Sequence, residues 1–320
     1  MKRTKKITIW SISVITVIAL LLFPSIYFIN FSLNHKYDIK TDSVESYRYM
    51  SEKYPWIVGW VDSLRTHHEL HDTIITREDG VRLHGIFAYA PETTDKTAVI
   101  VHGYTDNSIR MLMIGYLYNK ELGYNILLPD LYAHGKSEGQ WVGMGLKDYP
   151  DVMLWMNIAN NIFRGKNKET NMVVHGISMG AATTMMVSGH ENNSFVKCFV
   201  EDCGYTSAKD EFAYKLKQMY HLPAFPYIYT ASLLNKMVNG WYFSDANPLN
   251  AVKKCTKPML FIHGESDTYV PTWMVYKLYD AKPMPKELWT LPGVEHALSY
   301  HDYPEQYTVK VKDFVNNYIK

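Results

Sequence analysis

A mostly parallel central β-sheet with helices on both faces is predicted by three features of the 320-residue sequence. From residue 71 onward, short runs rich in Val, Ile and Leu alternate with longer amphipathic segments, and strands buried on both faces read as such continuous apolar runs. Several runs end in His-Gly, at the strand ends where open α/β sheets gather their chemistry. The composition, 47% hydrophobic and 20% charged, suffices for one large buried core.

The elements follow in chain order. Lys2, Arg3, Lys5 and Lys6 precede Ile7 to Phe31, 25 uncharged and mostly apolar residues. As a helix this run spans about 37 Å, enough to cross a bilayer. It is too long for the core of a cleaved signal peptide and ends in Tyr27, Phe28, Ile29 and Phe31 rather than small residues. Residues 1–31 are therefore expected to form a basic cytoplasmic tip and a single-pass anchor, with the rest of the chain on the extracytoplasmic side of the cell membrane. Deleting them is expected to leave an active domain.

Residues 32–70 read as a connector carrying one short amphipathic helix, in which Trp56, Ile57, Trp60, Val61 and Leu64 recur at helical spacing and pack on the domain. The nearby "HHELH", His67 to His71, fails as a helical zinc motif because its second histidine comes one residue early. Next, "HDTIITRE" and "VRLHGIFAYA" flank Asp79-Gly80, a hairpin signal. Further strands are expected at 97–103, 124–130, 171–177, 196–202, 257–264 and 286–293, with helices over 109–121, 146–163, 272–280 and 304–319.

Composition also excludes functions. The formal net charge is +1; removing the four N-terminal cations leaves −3, which gives no electrostatic footprint for nucleic acid. Cys198, Cys203 and Cys255 are too few and too scattered for a disulfide scaffold or a zinc site.

The densest chemical signal is "VVHGISMGAA", Val173 to Ala182. A serine driven through a tight strand-to-helix turn needs neighbours at ±2 without side chains, and Gly176 and Gly180 supply them. The turn lifts the Ser178 hydroxyl to a helix N-terminus, whose free N–H groups favour developing negative charge. G-I-S-M-G resembles the nucleophile elbow of the α/β-hydrolases.

That resemblance covers residues 71–320 and implies the order serine, acid, histidine. "HGESDTYVP" offers Asp267 just past one strand and "PGVEHALS" offers His296 just past the last. His296 is the expected base for Ser178, and Asp267 the carboxylate that orients it. Glu201 and Asp202 are expected to serve loop N–H groups or a helix cap; His102, His134, His175 and His263 are expected to be structural. The match of "VHGYTDNS" to the family's His-Gly-x loop implies an oxyanion hole from the backbone N–H groups of Tyr104 and Met179.

"LPDLYAHGKSEG" carries Gly-Lys-Ser, but Asp130 occupies the first glycine position of a phosphate loop, so nucleotide binding is rejected; Asp130, Gly135 and Ser137 are assigned to shaping a turn. Residues 204–254, about fifty, exceed a single crossover and are expected to form a helical lid, broken near Pro223 and Pro226 and rich in aromatics.

The chain resembles compact serine hydrolases with a small helical cap, some of them membrane-anchored. This implies hydrolysis of a small acyl ester or acyl lipid through an acyl-enzyme, with no cofactor and no metal. Peptidase or amidase activity is the alternative on the same triad, and a noncatalytic ligand-binding protein is the second. Haloalkane dehalogenase chemistry is disfavoured because a serine stands at the nucleophile position.

Overall fold

The computed structural model describes residues 2–34, 42–166, 168–190 and 193–320; for residues 2–9, 12, 14, 15, 17 and 18 it describes backbone but not side chains. Eight strands form one sheet in the order β1-β2-β4-β3-β5-β6-β7-β8. The hairpin β1 (His71–Thr76) and β2 (Arg82–Ala88) turns at Asp79-Gly80, where Gly80 takes φ +87°. β2 runs antiparallel to β4 (Asn125–Pro129). β3 (Lys96–Val101), β5 (Asn171–Ile177), β6 (Val196–Asp202), β7 (Met259–Gly264) and β8 (Lys286–Leu291) continue the sheet in parallel. All six runs predicted after the hairpin are strands.

Period-two alternation divides each central strand between two cores. Val99, Val101, Val174, Phe199 and Phe261 face one side, whereas Ala98, Ile100, Val173, Val200 and Leu260 face the other, all fully buried. Residues that alternate in space therefore read as unbroken apolar runs in sequence.

Helices α1 (Lys2–Leu33), α2 (Ser43–Lys53) and α3 (Val58–Thr66) precede the sheet. As expected, the α3 region packs on the domain: Ile57, Val61 and Leu64 are buried, and the Trp60 indole N–H donates to Asn119 Oδ1 at 3.2 Å. α2 was not foreseen. Asp42 caps it by accepting from the N–H groups of Val44 and Glu45, and its Ser46 hydroxyl accepts from Asn107 Nδ2 at 2.8 Å. Most of the expected polar connector, residues 35–41, lies outside the described residues.

Around the parallel strands lie α4 (Leu112–Tyr116, extended by a π turn, Leu117–Glu121), α5 (Tyr149–Phe163) and α6 (Met179–Ser188). The β6–β7 connection carries α7 (Ala208–Tyr220), α8 (Ala224–Asn239) and α9 (Pro248–Val252). Pro223 separates the two long helices of this connection, and His221 ends α7 in the left-handed region. α10 (Trp273–Ala281), α11 (Ser299–Asp302) and α12 (Pro304–Tyr318) complete the chain.

The N-terminal expectation needs correction. Among the described residues no helix is long and apolar enough to cross a membrane, so the expected transmembrane span is not supported; many of its apolar side chains lie outside the described set. One face of its C-terminal turns packs on protein instead, while Phe23, Ile26, Tyr27 and Phe31 remain exposed. Ser25, Ile29 and Leu33 are buried, α1 runs along α8, and Phe28 sets its ring edgewise against Phe212 (5.3 Å) and Phe243 (6.4 Å). The Val142 N–H donates to Leu33 O at 2.8 Å, and the Tyr104 hydroxyl donates to Ser32 O at 3.0 Å. Removal of residues 1–31 would strip Ile29 from the core and Phe28 from its contacts with Phe212 and Phe243, so the expectation of an undisturbed truncated domain is withdrawn.

Candidate active site

Ser178 leaves β5 with φ +58° and ψ −119°, a backbone state that non-glycine residues occupy only when surroundings enforce it. The enforcement is visible in its neighbours. A Cβ on Gly176 would lie 2.1 Å from Gly180 O, and one on Gly180 would lie 2.1 Å from Val101 O. Neither atom can move aside without distorting the sheet or helix, so both positions require glycine, as the sequence implied. The Ser178 N–H donates to Asp202 O at 2.8 Å, tying the turn to β6.

Three loops at the carboxyl ends of their strands bring the expected residues together. His296 Nε2 lies 2.8 Å from Ser178 Oγ, and His296 Nδ1 lies 2.6 Å from Asp267 Oδ2. The other carboxylate oxygen accepts from the N–H groups of Tyr269 and Val270, both at 2.8 Å. Burial alone would raise the Asp267 pKa, but hydrogen bonds from His263 and His296 outweigh it and hold the group at about 2. An ionised carboxylate can only accept, so His296 carries its proton on Nδ1 and leaves Nε2 to accept from the serine hydroxyl. The Tyr269 ring stacks on the imidazole at 4.9 Å.

The predicted oxyanion residues flank the serine. Met179 is the first residue of α6, where backbone N–H groups lack intrahelical partners. The loop bearing Tyr104 passes close by, since a Cβ on Gly103 would lie 3.9 Å from Ser178 Oγ.

The carboxylates set aside have other occupations. Glu201 accepts from the Gly204 N–H, and Asp202 accepts from the hydroxyls of Ser299 and Tyr307 at 3.1 Å each; burial raises them to about 8 and about 6. α7 is capped by Ser207. Asp130 accepts from His84 and from the N–H groups of Ser108 and Lys136, while Gly135 passes so near that a Cβ would overlap its carboxyl. His102 accepts from the Leu131 N–H at 2.9 Å and His175 lies between the Tyr118 and Tyr307 hydroxyls, consistent with structural roles. His263 was underestimated: besides donating to Val270 O, it sits 3.4 Å from Asp267 Oδ2.

Among the described residues one trio could present ligand atoms to a metal: those of Cys203, Asp267 and His296 lie within 4.8 Å of one another. Burial holds the Cys203 thiol well above its ordinary pKa, and both partners are committed to the hydrogen-bonded chain. The donor set fits a proton relay better than a metal centre.

Two pockets meet at Ser178. One is walled mostly by apolar side chains including Phe28, Phe31, Met144, Phe212 and Met219. The second is more polar; His296 lines it together with Lys53, Asp106 and Arg110. Sequence reasoning anticipated a pocket wall from the long connection that carries α7, but not from α1.

Comparison with known proteins agrees with this fold. Residues 120–320 match the prolyl oligopeptidase family. The uncharacterized protein YqkD of Bacillus subtilis is 31% identical over 229 residues, 71% of this chain and 73% of that protein. The Pyrococcus furiosus esterase Pf2001 superposes with a TM-score of 0.62 at 27% identity, covering 79% of this chain and 94% of the other. Est1E from Butyrivibrio proteoclasticus shares the fold, with a TM-score of 0.59 at 21% identity over 77% of this chain and 98% of its own. With the serine elbow and eight-stranded sheet in hand, these matches place the chain in the prolyl oligopeptidase family, as a serine hydrolase of the α/β-hydrolase fold.

Proposed function

We propose that the protein is a serine esterase that cleaves carboxylic esters with an apolar acyl chain. The observation that carries the reading is the unbroken hydrogen-bonded line Ser178–His296–Asp267 opening into an apolar pocket. Ser178 Oγ attacks the ester carbonyl carbon as its proton passes to His296 Nε2, and Asp267 stabilises the resulting imidazolium. The backbone N–H groups of Tyr104 and Met179 receive the oxyanion, each worth about 3–4 kcal/mol in comparable sites. Collapse of the tetrahedral intermediate expels the alcohol with the proton from His296. Water then repeats the sequence on the acyl-serine, releasing the acid and regenerating the hydroxyl.

The two pockets support an assignment of sides. His296 lines the polar pocket and must deliver its proton to the leaving group, so the alcohol portion lies there, among Lys53, Asp106 and Arg110. The acyl chain then occupies the apolar pocket between α1 and α7. Likeness to the Pyrococcus furiosus esterase supports ester chemistry, while the family match keeps peptide or amide cleavage as a second reading.

A fluorophosphonate should label the wild type and not Ser178→Ala; an unlabelled, folded wild type would leave only the ligand-binding alternative. Comparing kcat/KM for matched esters and peptides then separates the enzymatic readings, and higher values for peptides would reject the esterase. Residence at the membrane with the domain outside the cytoplasm is a separate proposal, supported by the cations and apolar run of residues 1–31 alone. Recovery of the full-length protein in the membrane fraction, with the domain open to external protease, is the expected result.

A further inference from the structure

The mostly apolar pocket beside Ser178 contains two buried polar side chains, Glu211 and Tyr205, that the proposed chemistry does not use. Glu211 lies on the inner face of α7 and lines the pocket that holds Ser178. It is only 4% exposed, and neither carboxyl oxygen has a hydrogen-bond partner among the described residues. Tyr205, 2% exposed, lines the same pocket, and its hydroxyl is likewise unpartnered among those residues. Burying such groups without partners is costly. Two in one substrate pocket point to a ligand that completes them.

The neighbouring charges narrow the ligand. Lys215, one turn along α7, lines the pocket as well; its ammonium donates to Gln218 Oε1 at 2.9 Å and lies 3.8 Å from the Tyr269 ring centre. A second cation would meet repulsion from it. Burial pushes Glu211 up to about 8, with Lys215 pulling the other way, so near neutral pH its carboxyl can both donate and accept. That chemistry suits an uncharged hydroxyl rather than an ammonium group or a plain hydrocarbon.

We infer that Glu211 and Tyr205 form a recognition point for a hydroxyl group on the acyl chain, making hydroxyacyl esters the preferred substrates. The inference rests on the esterase reading and deepens it. A site built to hydrogen-bond a substrate hydroxyl discriminates strongly against the analogue lacking it, because its own buried groups are then left unpaired.

The test compares kcat/KM for methyl hexanoate, methyl 3-hydroxyhexanoate, methyl 6-hydroxyhexanoate and methyl 6-aminohexanoate in the wild type, Glu211→Met and Tyr205→Phe. Active sites are counted by fluorophosphonate titration, and each selectivity is a ratio within one variant, so loss of folded protein cancels. The expected result is a wild-type preference of about tenfold or more for one hydroxy ester over methyl hexanoate, falling toward one in both variants. A smaller preference, a preference unchanged in either variant, or selection of the amino ester overturns the inference. Labelling and hydrolysis of methyl hexanoate without hydroxyl selectivity would remove this inference alone; absence of both would remove the esterase reading with it.

Discussion

Leu33→Ala separates a protein-embedded α1 terminus from a lipid-facing one. Leu33 is fully buried within the core shared with Val142, Phe212 and Phe243. Truncating a leucine in such a site costs roughly 2–5 kcal/mol, depending on how far the cavity collapses. At about 2–4 °C per kcal/mol for a large domain, the melting temperature should fall by roughly 4–20 °C. Leu20, 63% exposed on the same helix, provides the control, and Leu20→Ala should stay within about 0.5 kcal/mol of wild type. Thermal unfolding of the detergent-purified full chain, followed by tryptophan fluorescence, reads both. Phe28→Ala extends the test to function: it opens the pocket wall beside Phe212, so kcat/KM for hexanoyl esters should fall by about tenfold while the rate of acetyl ester cleavage changes less. Equal melting of Leu33→Ala and Leu20→Ala, with full activity in Phe28→Ala, would refute the packing argument.

Other consequences are equally direct. Asp267→Asn should lower kcat by about four orders of magnitude, because a neutral amide no longer fixes the His296 tautomer; steady-state turnover of the titrated enzyme checks this. Since the folded Asp267 pKa is depressed to about 2, its contribution of about 2 kcal/mol is present above pH 4 and lost as pH falls toward 2, and acid unfolding of the variant should lack that limb. Glu211 has the opposite sign. Its folded pKa is raised from 4.5 to about 8, so the folded state keeps a proton that the unfolded state releases and stability falls as pH rises between those values. Glu211→Met should remove this decline and melt higher at pH 9, read by scanning calorimetry across pH. Gly180→Ala should prevent the native turn, because the new methyl would collide with Val101 O; circular dichroism and fluorophosphonate labelling should both show the loss.

The three side chains that the structure aligns were legible in the sequence because each sits where a strand ends, and strand ends are marked by short-range signals. Gly176 and Gly180 bracket Ser178 by steric necessity, and Asp267 and His296 follow apolar runs by a few residues. What escaped notice depends on packing between distant segments. Glu211 lies in "SAKDEFAYK", which reads as a solvated first helical turn; only the approach of α7 to the elbow buries it. α2 shows little apolar periodicity, since only Ser46 and Met50 on it are buried. The run before Phe31 is apolar on every side, so its pattern cannot distinguish a lipid neighbour from α8. His263 gave no sign in sequence that its ring approaches Asp267, a contact fixed by the turn after β7.

The bond from the Tyr104 hydroxyl to Ser32 O has a consequence for how the N-terminal helix can be trimmed. The last turn of α1 braces the loop that bears Tyr104, so a protease cutting between Ile29 and Asn34 should switch activity off, whereas trimming upstream of Leu21 should spare it.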